Sequence, residues 1–300
     1  MPSPVRSRGR AFAALATAGC LWGTGFLFGK WALAELSVGQ MVLYRFLFAS
    51  LGFAPAVWRG LRDPVTRIRR QDLALILIAA LVGVPIQFLV QFAGLARTTV
   101  SHASLMVGLL PVLLAAGSAL FAHERVNAKR WIALVASTIG AGLIAFGAST
   151  GEGGAQASLA GDLLVAVSLI AAVGWILLSQ RLMRSGHYSS VTASAYVMTA
   201  GTPMLALWVL ATEGPIPVRL SALTWMSVAA MGLLATTVTT YLWNWGLAQV
   251  PASQAGVFVN LEPVVGAILG VLVLHDVLGP YGLVGGILVI GAAIFVAAND

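Results

Sequence analysis

GLAQVPASQAGVFVNLEPVVGAILGVLVLHD (residues 246–276) lies without a gap on GLARTTVSHASLMVGLLPVLLAAGSALFAHE (residues 94–124) when the chain is shifted against itself by 152 positions. Twelve of the 31 pairs are identical, among them Gly94/Gly246, Ser101/Ser253, Pro111/Pro263 and His123/His275. Oily low-complexity sequence yields matches of Leu, Val and Ala freely. It does not yield matched Gly, Pro and His in one register. The same shift pairs Tyr44 with Tyr196, and Trp22 meets Trp175 one residue off. The chain reads as two copies of one unit.

Neither copy is composed for water. Of 300 residues, 59% are hydrophobic and 9% charged, with mean hydropathy +0.92; an ordinary soluble domain is about 25% charged. Apolar runs near twenty residues, each able to cross a hydrocarbon core of about 30 Å, recur at roughly 11–30, 39–58, 73–93, 102–121, 131–148, 161–180, 191–211, 223–245, 255–274 and 281–297. Strand-like alternation is absent, which argues against an outer-membrane barrel. The reading is an all-α membrane protein of ten transmembrane helices. Helices 1–5 form a first repeat at 11–148 and helices 6–10 a second at 161–297, behind a cytoplasmic N-terminal tail at 1–10. No stretch is left for a soluble catalytic domain.

The net charge of +7 is distributed unevenly. With the N-terminus inside, the inside segments hold thirteen Lys and Arg, and the outside segments hold Lys30, Arg97 and Arg219. This bias predicts N-in and, after ten crossings, C-in, in a cell inner (cytoplasmic) membrane. The basic balance is therefore a topology signal, and no nucleic-acid partner is expected. Five is odd, so the second copy enters the membrane inverted: AHERV (122–126) is expected inside and its partner LHDVL (274–278) outside. Inverted repeats around a midplane site are the architecture of secondary transporters. Cys20 is the only cysteine, so no disulfide framework exists. It is read as a packing residue, because Thr17 suits a lipoprotein cleavage site poorly. The apolar run continues to about Lys30, too far for a cleavable signal.

Residues 241–276 (YLWNWGLAQVPASQAGVFVNLEPVVGAILGVLVLHD), with the weaker copy SHASLMVGLLPVLLAAGSALFAHERV (101–126), resemble the EamA-type domain of the drug/metabolite transporter superfamily, present twice. Trp22-Gly23 in helix 1 and Tyr44-Arg45 in helix 2 fit the same pattern. The resemblance implies ten helices, N-in and C-in, a central cavity, and export of small metabolites or amino acids. The sequence departs at LHD, where the family more often has Glu after Gly; the roles of His275 and Asp276 stay open.

Polar residues within spans face the bundle or a wet cavity more often than lipid, because a charge at mid-bilayer costs about 3 kcal/mol or more. Thr237, Tyr241 and Asn244 form one stripe at i, i+4, i+7. Gln87 and Gln91 form another just after Pro85. Ser168, Trp175 and Ser179 share a face, as do Ser253, Gly256, Asn260 and Pro263, and His102 with Met106. Each polar group is either cavity lining or interhelical glue. The candidate cavity residues are Trp22, Gln87, Gln91, His102, Met106, Trp175, Ser179, Thr237, Tyr241, Asn244 and Asn260. An aromatic lining suits aromatic or amphipathic solutes. Trp131, Trp208 and Trp225 are read as interface anchors. Arg45 is expected to snorkel outward in a structural or gating role. Glu262 is read as the only acid within a span. It is either a proton-coupling group, with a carboxyl easier to protonate when desolvated, or a hydrogen-bonded lock. Pro85, Pro111, Pro203 and Pro263 are expected to interrupt helices, with Pro111 and Pro263 as matched hinges. Glycine pairs in GFLFG (25–29), GAILG (266–270) and GLVGG (282–286) allow close packing within the bundle or a dimer face, so monomer and homodimer both stand.

The leading reading is a secondary transporter or facilitator working by alternating access, with a small-molecule substrate, lipid as surroundings and protons as a candidate co-substrate. No phosphate-binding GxxxxGK[ST] motif is present, which argues against ATP drive. A sugar-nucleotide or other solute exchanger of the same superfamily is the alternative. An intramembrane enzyme would need a constellation that is not visible: HER and HDV are expected on opposite sides of the membrane. No metal site and no cofactor is expected, and a channel filter is not visible.

Overall fold

A computed structural model describes residues 4–110, 112–114, 116–117, 128–149, 157–184, 186–249 and 258–299. All regular structure among them is helical. The elements are α1 (Pro4–Ala32), α2 (Val38–Arg62), α3 (Arg70–Leu95), α4 (Val100–Val107), α5 (Ala128–Ser149), α6 (Leu159–Met183), α7 (Ser190–Thr212), α8 (Ala222–Leu247), α9 (Leu261–Leu274) and α10 (Pro280–Asn299). Among the described residues, six of them (α1, α2, α3, α6, α7 and α8) are long and apolar enough to cross a membrane, and α4, α5, α9 and α10 contribute shorter apolar helices. Residues 4–10, read from sequence as a tail, are already helical and continuous with α1.

Local sequence explains where helices begin. Ser37, Thr99, Ser158, Ser189 and Ser221 each accept a hydrogen bond from a backbone N–H of the first turn that follows, which satisfies a donor that has no partner inside the helix. Ser37 and Gln40 complete a reciprocal capping box.

The interruptions recur at matched places. α3 widens into a π turn at Val82–Ile86, which contains Pro85, and α8 does so at Leu233–Val238. Adding 152 to the first interval gives 234–238. Helix α4 gives way to a turn at Gly108 and Leu109, and the helical backbone before α9 turns at Asn260. Each turn ends shortly before a proline of the repeat. Pro263 is the third residue of α9 and cannot donate to the carbonyl of Val259. Pro111, Ser253, Gly256, His123 and Glu124 lie outside the described residues. Pro203 sits inside α7 without ending it.

Glycines set the close approaches. A Cβ on Gly23 of α1 would sit 2.7 Å from the Glu262 carbonyl of α9, and one on Gly140 of α5 would sit 2.7 Å from the Gly285 carbonyl of α10. Gly266 and Gly270 lie against Ser104 and Ser101 of α4, and Gly286 against Leu105. These glycines of GAILG and GLVGG therefore pack within the bundle. Helix α2 lies on α7, α4 on α9 and α5 on α10. Helix α1 packs against α8 and α9, and α6 packs against α3 and α4; α2 also touches α8, and α7 touches α3. Trp131 and Trp208 are exposed, as interface anchors would be. Trp225 is not: its ring stands edge-on to Tyr44 at 5.1 Å and packs on the core, because the partner ring offers more contact than the bundle surface does.

Candidate functional site

Arg45 does not snorkel. It is 7% exposed, and its Nε donates to Thr236 Oγ1 at 3.0 Å, inside the π turn of α8. Its guanidinium lies 4.5 Å from the Phe88 ring centroid, 5.5 Å from Phe92 and 5.8 Å from Phe46. The position of Arg45 on α2 faces α3 and α8, and the three rings supply cation–π attraction in place of water. Glu262, in the first turn of α9, is partly buried. The two do not touch: no N···O contact within 4.0 Å joins them. Among the described residues, no protein hydrogen bond reaches the terminal nitrogens of Arg45 or the carboxylate of Glu262. A carboxylate near a helix N-terminus is favoured by the helix dipole. That offsets only part of its desolvation.

The expected cavity residues divide into groups. Trp22 lies 5.2 Å from Trp243, and Tyr241 lies 5.9 Å from Phe53. Met106 is fully buried in the main apolar core that also holds Phe26, Phe46, Phe88 and Phe92. Gln87 and Gln91 are buried on α3. Trp175 rests on Gly83, one turn before Gln87, and a Cβ on Gly83 would stand 2.7 Å from Trp175 Cγ. Gln87 Oε1, Trp175 Nε1 and Ser179 Oγ are buried without a hydrogen-bond partner among the described residues. Thr237 Oγ1 donates to backbone carbonyls of Gly232 and Ala49 at 3.1 and 3.3 Å, and its side chain fills the space over Gly52, so it ties α8 to α2. Asn244 donates to Thr240 of its own helix, and Ser168 to Val165 of its own. Asn260 is buried at the turn before α9.

His102 faces a different neighbourhood. Its Nδ1 is 2.9 Å from Asp162 Oδ2, and Thr98 Oγ1 donates to Asp162 Oδ1 at 2.6 Å, with all three residues fully buried. Nearby, Lys30 Nζ donates to the carbonyls of Leu95 and Thr98, and Asp276 Oδ2 accepts from Ser101 N at 2.8 Å. Glu262 is therefore not the only acid within a span. Asp162 is a second, in the first turn of α6. The signal was present in SLAGD (158–162): an acid four residues after an N-cap serine, inside the apolar run from 161. His275 and Asp276 also acquire roles. His275 ends α9 with φ 57°, the left-handed conformation that glycine adopts most easily, and Asp276 accepts a hydrogen bond from Ser101 N at the start of α4.

Side chains tether loops at both ends of the bundle. At one end, Glu35 accepts from Ser221 N, Glu213 accepts from Ser37 Oγ and Gln40 N, and Tyr44 donates to the Pro217 carbonyl at 2.8 Å. At the other, Tyr188 donates to Asp72 and accepts from Arg69 N, His187 bonds to the Arg67 carbonyl, and Tyr196 donates to the Thr66 carbonyl at 3.0 Å. Tyr44 and Tyr196 are the pair related by the 152-residue shift, and Ser50 and Thr202, also 152 apart, hydrogen-bond to each other at 2.9 Å. Hydrogen bonds from Ser221 hold the Glu35 carboxyl below the usual carboxylate range, and burial pushes the Tyr188 phenol up. No group of three or more His, Cys, Asp or Glu that could hold a metal occurs among the described residues.

The model of the EamA-like transporter family matches residues 10–146 and 159–298. The uncharacterized transporter YetK of Bacillus subtilis (strain 168) is 25% identical, covering 91% of this chain and 82% of its own. A Pseudomonas aeruginosa protein named "Probable biotin transporter" is 27% identical over 84% of this chain and 85% of its own. A solved crystal structure, 19% identical, covers 97% of both chains with a TM-score of 0.64, a likeness of fold.

Proposed function

Because this chain belongs to the EamA-like transporter family, we propose that it is a secondary transporter or facilitator exporting amino acids or other amphipathic and aromatic metabolites by alternating access. The observation that carries this reading is the pattern of helix contacts. Advance every helix by five, and the pairs α2 with α7, α4 with α9 and α5 with α10 map onto themselves. The pairs α1 with α8 and α1 with α9 map onto α6 with α3 and α6 with α4. Matched π turns and matched breaks before Pro111 and Pro263 support the same reading of two inverted five-helix repeats. The loop tethers made by Tyr44 and Tyr196 are then equivalent gates at opposite ends. Two halves of this kind open a midplane site to each side in turn. The substrate lies in a central cavity toward Trp22, Gln87, Gln91, Trp175, Ser179, Tyr241 and Asn260, in a cytoplasmic membrane with both termini inside.

Counterflow in proteoliposomes tests this. Saturable exchange of an amino acid or of biotin, which the name of the Pseudomonas aeruginosa relative brings into the panel, is the expected result; uptake that stays linear with concentration and shows no counterflow rejects a carrier. Running the same assay with a pH gradient tests coupling at Glu262. A Glu262→Gln protein that keeps its full dependence on the gradient removes Glu262 from that role.

A further inference from the structure

We propose that the buried His102–Asp162 pair is the proton-binding site of the transport cycle, with His102 Nε2 as the atom that takes the proton and Asp162 as the residue that positions the ring. This rests on the transporter reading above and adds the co-substrate that drives it. Asp162 accepts from Thr98 Oγ1 on one oxygen at 2.6 Å and meets His102 Nδ1 on the other at 2.9 Å. An ionised carboxylate only accepts, so the hydrogen of a neutral His102 ring sits on Nδ1 and Nε2 keeps a lone pair. That Nε2 is buried with no hydrogen-bond partner among the described residues. It faces the start of α10, where a Cβ on Gly282 would stand 3.7 Å away. A ring anchored at one nitrogen and open at the other gains and loses one hydrogen without giving up its anchor.

The charges around the first turn of α4 favour that proton. Lys30 Nζ donates to the Thr98 carbonyl at 2.7 Å, and Asp276 Oδ2 accepts from Ser101 N at 2.8 Å. Two carboxylates, Asp162 and Asp276, thus stand with one ammonium, and a protonated His102 brings the four groups to neutrality. Net charge inside an apolar bundle is costly. Among the described residues, the elements packed on α4 bring no further charge to the cluster. Arg97 is exposed and turns back to the Ala93 carbonyl, His275 is exposed, and Tyr281 sets its ring edge-on to Phe146 at 5.1 Å. Arg10, Asp72, Lys129, Arg181 and Glu262 lie toward the far ends of α1, α3, α5, α6 and α9.

The pair joins the two halves, because α4 belongs to the first and α6 to the second, and the two helices pack together. The 152-residue shift puts Gln254 and Arg10 at the corresponding sequence positions, so the repeat itself does not require the pair. A cleft of about 410 Å³, lined by Lys30, Leu33, Leu36 and Ala96 among others, already opens to Lys30 on this side. When α4 and α6 part, His102 loses its carboxylate, water reaches the ring, and the N–H bond at Nε2 breaks to return the proton to water. When they close again, one proton from water forms that bond, and nothing else is consumed.

Proteoliposomes that counterflow biotin or L-phenylalanine test the site, with the membrane potential clamped by valinomycin and potassium. A pH gradient of about one unit, at one proton per solute, is expected to hold about a tenfold solute gradient in wild type. His102→Asn keeps an amide N–H for Asp162 but cannot titrate. It is expected to hold no solute gradient while counterflow, which needs no net proton movement, persists. An undiminished gradient, or accumulation and counterflow lost in equal measure as a structural role would have it, overturns the proposal. If His102→Asn does not fold, nitrogen-15 NMR of histidine-labelled wild type decides, with His102 identified by elimination through His123→Gln, His187→Gln and His275→Gln. Its ring is expected to change between neutral and protonated forms across about pH 5 to 9; a ring that keeps one form throughout overturns the proposal. If wild type counterflows either solute but no pH gradient moves it, the site fails and the transporter reading stands. If neither biotin nor any amino acid is carried, yet the His102 ring titrates in folded protein, proton binding at the pair stands and the transporter reading falls.

Discussion

Asp162 carries two buried hydrogen bonds, from Thr98 and with His102. Removing it leaves both partners buried without an acceptor, and breaking such a pair from one side costs about 3–5 kcal/mol. Asp162→Ala is therefore expected to lower the unfolding midpoint in detergent steeply, and His102→Leu on top of it to recover part of the loss, a coupling visible in a double-mutant cycle. A single substitution that leaves the midpoint unchanged would show that the pair is immaterial. Glu35 sets a pH dependence of known sign. Its carboxyl titrates below its ordinary value because Ser221 hydrogen-bonds the charged form. The stabilisation is complete above the ordinary carboxylate pKa and fades as pH falls through the lowered one. Unfolding followed from about pH 6 to pH 3 should show this acid limb, and Glu35→Gln should flatten it. Asp162 sits at a helix start, where a lone acid is also the ordinary way to complement a helix dipole, and Glu35 lies in the turn after α1, where an acid is equally ordinary. Only the contact with another loop or helix separates the two cases.

Helix ends and crossings are where single side chains act on whole elements. His275 closes α9 in the left-handed region, where a Cβ costs about 1–2 kcal/mol and glycine costs nothing steric. His275→Gly is expected to raise stability by about 1 kcal/mol, read from the unfolding midpoint, and to leave solute exchange unchanged. The Gly140–Gly285 crossing has the opposite sensitivity. A side chain there meets a carbonyl at 2.7 Å, so Gly140→Val should separate α5 from α10 and cut the yield of folded protein, whereas Gly142→Ala, with nothing within 4 Å of its Cβ, should not. Sequence spacing marked the glycine pairs of GAILG and GLVGG as contact surfaces but left open whether the contact was internal or with a second copy. Both answers use the same small residues, and the choice depends on which helix arrives opposite.

At the scale of the molecule, the two loop tethers make a paired prediction. In a Cys20→Ser background, Ser37→Cys with Glu213→Cys, and separately Asp72→Cys with Tyr188→Cys, place thiols across tethers at opposite ends. Bridging either pair with a short bifunctional thiol reagent is expected to arrest exchange, reversibly on reduction. If exchange survives bridging at both ends, alternating access between these gates is wrong.

The sequence by itself determined the helical membrane class, the two copies and the positions of their prolines, because hydropathy and a 152-residue self-match are properties of the chain alone. It also identified Glu262 and Gln87 as polar groups needing an explanation. Three things waited for the tertiary structure. Arg45 turns inward because α3 brings Phe88 and Phe92 over it and α8 brings Thr236 to it. His102 meets Asp162 because α6 packs on α4, sixty residues away along the chain. Asp276 reaches Ser101 because α9 ends beside the start of α4. Each depends on which helices are neighbours. Periodicity shows the face a helix presents, and only packing decides what stands in front of it.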